Sequence, residues 1–315
     1  MLRLCPLGSS APYPTWPPAE SRVGCRSRIL FIGDFFRRTS HSAAIFRACV
    51  PPSSQQLWRD AKRSASLLRS IGNKVYEHAF PIYRLFYRAF KAYTDCAERQ
   101  LLRKMLFPGA VVVDVGANIG IYSEFLSHCV GPTGLVHSFE PSPDNFGRLS
   151  AATHDLSNVR LTQAAVGEAS GECKLYVSDK LNVDHRVYKA DRDSRRAIPT
   201  EMVALDDYFR PGQRVDLIKI DIQGYELHAL HGAQRVLQEN PDINLLLEFW
   251  PAGLKQAGVG WEELVEMLQG LNMNLTLVRT GGLVPFDAHD VRNDISWYVN
   301  LFAHRSPGQI HNWPD

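Results

Sequence analysis

The chain has 315 residues, 45% hydrophobic and 22% charged, with a formal net charge of +2. That composition describes a soluble globular protein with room for one large domain plus extensions, and its near-neutral balance makes no electrostatic case for nucleic acid as a partner. No apolar run reaches the roughly 18 residues a membrane helix needs, and the six cysteines form no Cys-x-x-Cys pair, so they read as free thiols of a reducing, cytoplasmic compartment.

Residues 1–57 carry prolines at 6, 12, 14, 17, 18, 51 and 52 and seven arginines, with only Glu20 and Asp34 acidic. No hydrophobic period persists, which predicts a disordered basic extension. Such a segment is either an organelle transit peptide or an unselected extension. Residues 58–107 turn helical: Val75, Tyr76, Phe80, Tyr83, Phe86, Tyr87 and Phe90 recur three or four apart, with Lys74, Arg84, Arg88 and Lys91 between them. A membrane-surface helix and a lead-in helix packing its aromatic face on the following domain both fit this pattern. Pro81, which interrupts the stripe, favours the second.

Pro108-Gly109 opens the strongly patterned region, taken as one domain over 108–305 with a tail over 306–315. Strands are expected at 111–115, 135–139, 159–165, 175–177, 202–205, 215–221 and 243–249, and a last pair at 275–279 and 297–303. Helices are expected to Cys129, from Pro143 behind the N-cap Ser142, to Gln238, and over 261–271. Strands alternating with helices imply a parallel sheet covered on both faces, and the closing pair, joined by a loop, is expected to be antiparallel.

The first strand, Val111-Val112-Val113-Asp114-Val115, runs into Gly116-Ala117-Asn118-Ile119-Gly120. The order Asp-x-Gly-x-x-x-Gly differs from the dinucleotide fingerprint, which needs a second glycine where Asn118 stands. A carboxylate in place of a bound phosphate suits a cationic or zwitterionic ligand such as S-adenosylmethionine. Glu140 ends the second strand about 20 residues downstream, where a doubly wound fold holds a ribose. As a carboxylate it is a strong acceptor for both ribose hydroxyls. These spacings predict that Asp114 and Glu140 face one cleft beyond the strand ends.

Val-Asp-Val-Gly-Ala-Asn-Ile-Gly, Phe139-Glu140-Pro141-Ser142, Ala164-Ala165-Val166-Gly167 and Ile218-Lys219-Ile220-Asp221-Ile222-Gln223-Gly224-Tyr225-Glu226 together resemble the FkbM family of S-adenosylmethionine-dependent methyltransferases. Val203-Ala204-Leu205-Asp206-Asp207 and Tyr298-Val299-Asn300-Leu301 are also similar, so the likeness runs over roughly 95–305. It implies an α/β class I methyltransferase (Rossmann-like) doubly wound sheet of seven strands, the last antiparallel. It further implies that Asp114, Gly116, Ala117, Asn118 and Gly120 hold the methionine portion of the donor. Glu140 with Pro141 would hold the ribose, and Gln163 and Ala164 would border the adenine. The acceptors it suggests are sugars, glycolipids or secondary metabolites, methylated on a hydroxyl oxygen. N-methylation on the same fold and a nicotinamide-dependent oxidoreductase are the alternatives.

Methyl transfer needs reactants held in line and, for a hydroxyl acceptor, a base. Asp221 and Glu248 end neighbouring strands, and Glu226 opens the next helix. All three are candidates for base, orienting group or ligands of a divalent metal, although no ligand spacing demands one. The charged stretch Asn182-Val183-Asp184-His185-Arg186-Val187-Tyr188 supplies His185, expected to be a general base because histidine titrates near neutrality.

Overall fold

The computed structural model describes residues 74–76, 78–178, 184–190 and 195–305. The extension 1–57, the tail 306–315, and Asn182 and Val183 lie outside them. Two helices lead in, α1 (Phe80–Thr94) and α2 (Cys96–Met105). Pro81 sits in the first turn of α1, where its missing N–H costs nothing, so it starts the helix rather than interrupting it. Tyr76, Phe80, Tyr83 and Tyr87 pack on Ile119 and Ile121 of the domain behind.

The domain then runs β1 (Val111–Val115), α3 (Ile121–Val130), β2 (Leu135–Phe139), α4 (Pro143–Thr153), β3 (Val159–Thr162), β4 (Ala165–Val166), β5 (Gly171–Val177), β6 (Arg196–Val203) and α5 (Leu205–Tyr208). It continues with β7 (Leu217–Ile220), α6 (Glu226–His231), α7 (Gln234–Glu239), β8 (Asn244–Phe249), α8 (Pro251–Gln256), α9 (Trp261–Gly270), β9 (Asn274–Arg279), β10 (Gly282–Pro285) and β11 (Val299–His304).

The main sheet has the order β10-β9-β11-β8-β7-β1-β2-β3. Strands β8, β7, β1, β2 and β3 are mutually parallel, and β11 lies antiparallel between β8 and β9. Seven of these strands make the expected class I sheet. The eighth, β10, is an edge hairpin on β9, and it corrects the expected count of seven. Its four residues follow Thr280-Gly281 and begin at Gly282, a turn signal that short-range periodicity passes over.

Two further boundaries differ from expectation. The stretch 159–165 is not one strand: after β3 the chain leaves the main sheet, and β4 joins a second sheet of order β4-β6-β5. The helix expected through Gln238 is broken at Gly232, where an added Cβ would lie 2.0 Å from the carbonyl oxygen of Gly167.

Each face of the main sheet buries its own layer, because successive side chains on a strand point to opposite faces. Val113, Val115, Ile218, Ile220, Leu245 and Leu247 belong to one core, and Val112, Val136, Leu217, Leu246 and Phe302 to the other, under α2 and α3. The chain passes β1-β2-β3 to one side and β7-β8 to the other. The crevice of this open sheet therefore opens beyond the carboxyl ends of β1 and β7.

Candidate functional site

A cleft opens at that switch point. Its lining includes Gly116 and Asn118 after β1, Phe139, Glu140 and Pro141 after β2, Asn145 of α4, Ala164 and Val166 near β4, and Asp221, Ile222 and Gln223 after β7. Leu175, His185 and Val187 close it from the second sheet. Gly116 has φ +82°, and an added Cβ would meet the carbonyl oxygen of Asp221 at 2.2 Å. Only glycine permits that approach of the two strand-end loops. The amides of Gly116 and Ala117 both donate to the carbonyl of Phe139, at 3.0 and 2.9 Å.

Glu140 is 5% exposed. Its Oε2 accepts the Asn118 N–H and its Oε1 the Ser142 N–H, each at 2.9 Å, and the Asn145 side chain adds a third bond. Burial pushes its pKa up to about 7, against the pull of those hydrogen bonds. A carboxylate has roughly four acceptor sites, so one remains for a ligand hydroxyl rather than the two expected. Asn118 stands beside it at φ 51°, and its buried Oδ1 lacks a hydrogen-bond partner.

The structure does not bring Asp114 into this cleft. In the alternation along β1, Asp114 shares the side of Val112, the face under α3. There its carboxylate meets the Lys219 ammonium at 3.3 Å and the Ser123 hydroxyl at 2.8 Å, wholly buried. The expected pair of acids facing one ligand is therefore a single acid, Glu140. Ala117 and Gly120 are buried in the loop outside the cleft lining, and Gln163 is exposed while its neighbour Ala164 forms the wall.

The acceptor-side candidates separate in the same way. Asp221 lines the cleft. Gln223, at φ 60°, donates from Nε2 to Asp221 Oδ1 at 3.1 Å and to Glu248 Oε2 at 2.9 Å. An amide N–H thus sits where a cation shared by these carboxylates would bind, and the donor set does not fit a resident metal. Among the described residues no cluster of three or more His, Cys, Asp or Glu is arranged for one. Glu248 and Glu226 stand outside the lining. Glu226 is fully buried, and its Oε1 accepts the N–H groups of Ile222 and Gly224 at 3.2 and 3.1 Å, clamping the turn after β7. Burial, and then the neighbouring Glu248, raise its pKa to about 8.

His185 reaches the cleft because residues 184–188 fold back along β5, with mutual backbone bonds between Tyr176 and Arg186. Strand alternation sends His185 and Val187 inward. Arg186 turns the other way to Asp184 and Gln256, and the Tyr188 hydroxyl to the carbonyl of Gln223. His185 Nδ1 accepts the Ser178 N–H at 3.1 Å. A backbone N–H can only donate, so the ring proton is on Nε2 and the imidazole faces the cleft as a donor. Burial lowers its pKa, which keeps it neutral. A general base at Nε2 is incompatible with this arrangement.

Sequence reasoning missed Asn145, Gln223 and Val187. Gln223 lay inside a quoted motif, and Val187 is signalled only by its alternation with His185. Nothing in the local pattern marks Asn145.

Comparison with known proteins follows the same outline. The chain is 27% identical over 144 residues to Methyltransferase 1 of Beauveria bassiana, covering 38% of this chain and 57% of that protein. It is 36% identical over 95 residues to the 31-O-demethyl-FK506 methyltransferase FkbM of Streptomyces tacrolimicus, covering 25% and 36%. It is 27% identical over 131 residues to the hexuronic acid methyltransferase AglP of Haloferax volcanii, covering 41% and 52%. The matches thus span about half the length of these relatives or less. The model of the methyltransferase FkbM domain matches residues 114–273, from the acid of the first strand to the entry of β9, and with it the chain belongs to the FkbM methyltransferase family.

Proposed function

We propose that this protein transfers the methyl group of S-adenosylmethionine to a hydroxyl oxygen of a small-molecule or glycan acceptor. The observation that carries this reading is one cleft holding both Glu140, whose remaining acceptor site suits a ribose hydroxyl, and the buried, unpartnered Oδ1 of Asn118, which suits an ammonium donor. Phe139, Ala164, Val166 and Leu175 add the apolar walls a purine needs. The donor supplies a methyl group already activated on a sulfonium.

The chain's own residues then have limited work. Gly116, Asn118, Glu140, Pro141 and Ala164 hold the donor. Asp221 takes the acceptor's hydroxyl proton on its carboxylate, kept in place by the amide of Gln223. His185 donates from Nε2–H to orient a ligand oxygen. The β5–β6 excursion that carries it narrows the cleft to water. The printed names of two relatives, acting on a demethylated FK506 and on a hexuronic acid, support an oxygen acceptor on a secondary metabolite or sugar. The free, half-buried Cys96, Cys129 and Cys173 support a reducing, cytoplasmic location. Among the described residues no helix is long and apolar enough to cross a membrane.

Calorimetry with S-adenosylhomocysteine and NAD side by side, followed by methyl-labelled turnover on hydroxylated sugars and metabolites, tests the reading. Binding of S-adenosylhomocysteine alone is the expected result. Binding of NAD instead, or of neither, rejects it.

A further inference from the structure

The segment ahead of the family-matched domain reaches into the donor site. Tyr76 is 9% exposed, and its hydroxyl donates to Asn145 Oδ1 at 2.6 Å. Asn145 is 1% exposed, lines the cleft and bonds the Glu140 carboxylate. With its Oδ1 taken by a phenol, the amide must present Nδ2 to Glu140, which is the only orientation an ionised carboxylate accepts. Tyr76 is itself fixed: the Arg148 guanidinium lies 3.3 Å from its ring centroid and donates to its carbonyl at 2.8 Å, and the ring packs on Ile119 of the glycine loop and Ile121 at the start of α3.

We infer that Tyr76, outside the matched residues 114–273, is a positioning residue for donor binding, acting through the amide of Asn145 to aim and hold the Glu140 carboxylate. The inference rests on the reading of Glu140 as the ribose acid. It assigns a task in the methyl-donor site to the lead-in segment, which the family's domain does not include. Without the phenol the amide is free to turn its oxygen toward Glu140, and two acceptors then face each other.

Tyr76→Phe keeps the ring under Arg148 and against the two isoleucines and removes only the hydroxyl. In the full chain, the expected result is about five- to tenfold weaker binding of S-adenosylhomocysteine, with the midpoint of its pH dependence moved upward and the fold retained at a modestly lower melting temperature. Carbon-13 NMR of the Glu140 carboxyl in the ligand-free protein should show the same upward move. Adding Tyr76→Phe to Asn145→Ala should change neither quantity further. Equal affinity and equal Glu140 titration in Tyr76→Phe and wild type overturn the inference, as does an undiminished effect of Tyr76→Phe on the Asn145→Ala background. If the wild type itself fails to bind S-adenosylhomocysteine, the functional reading falls instead, and the Glu140 titration alone decides this one.

Discussion

Lys219 and Asp114 are register partners on the adjacent parallel strands β7 and β1, and their side chains meet at 3.3 Å on the face of the sheet under α3. They are 7% and 0% exposed, and the Lys219 ammonium also lies 4.7 Å from the Tyr122 ring centroid. Removing one member leaves the other charged and uncompensated. Lys219→Met is therefore expected to lower unfolding free energy by about 3–5 kcal/mol, read by urea denaturation. Lys219→Met with Asp114→Leu should lose much less. A double-variant loss equal to the sum of the separate Lys219→Met and Asp114→Leu losses would show that the pair is not coupled.

Gly116→Ala tests the close approach of the two strand-end loops. The methyl group would overlap the Asp221 carbonyl at 2.2 Å, on a backbone at φ +82°. We expect a loss of about 2 kcal/mol or more in stability and no measurable binding of S-adenosylhomocysteine. A variant that binds normally would mean that the loops separate freely.

Glu140 links donor binding to pH. Its carboxyl is held at about 7, and the ionised form is the stronger acceptor for a ligand hydroxyl. Affinity for S-adenosylhomocysteine should rise by up to about tenfold per pH unit below that midpoint and level off above it. Glu140→Gln should abolish this dependence. It should also destabilise the protein by about 1–3 kcal/mol, because an amide N–H must then face the N–H of Asn118 or Ser142. A flat pH profile for the wild type would detach Glu140 from the ligand.

Glu226 gives a stability signature of its own. Its folded-state pKa of about 8 lies above the ordinary 4.5. The neutral form therefore stabilises the fold below pH 4.5, and that contribution is lost as pH rises through about 8. Glu226→Gln keeps an oxygen for the amides of Ile222 and Gly224 and cannot ionise. It should match wild type at pH 4 and exceed it at pH 9 by on the order of 4–5 kcal/mol in thermal or urea melts. The reverse ordering at pH 9 would show that the charge is accommodated.

Asp221 and His185 are separated by their pH profiles. Asp221→Asn should lower turnover by about 100- to 10,000-fold while donor binding survives. His185→Ala should slow turnover without removing any ionisation near pH 6.5, because the histidine acts as a neutral donor. Loss of such an acid limb in His185→Ala would restore it as the base.

Much of the fold was readable from the chain because its signals are local. A β-branched run ending in a glycine turn marked β1, short apolar runs marked β2 and β7, and Ser142-Pro143 marked the start of α4. The FkbM likeness rested on the same short motifs, and the family match over 114–273 agrees with them. The edge hairpin β10 and the step from β3 to β4 escaped because four- and two-residue strands carry almost no periodicity.

What the sequence determined by itself was the inventory: a parallel α/β sheet, a glycine turn after its first strand and acids at four strand ends. The face each acid takes was decided only in three dimensions, since a shift of one residue along a strand moves a side chain from crevice to core. That is why Asp114 is neutralised under α3 while Glu140 stays in the cleft. The same holds for His185, whose proton position depends on a backbone N–H contributed by Ser178, and for Tyr76, which meets Asn145 only because α1 folds back over the glycine loop.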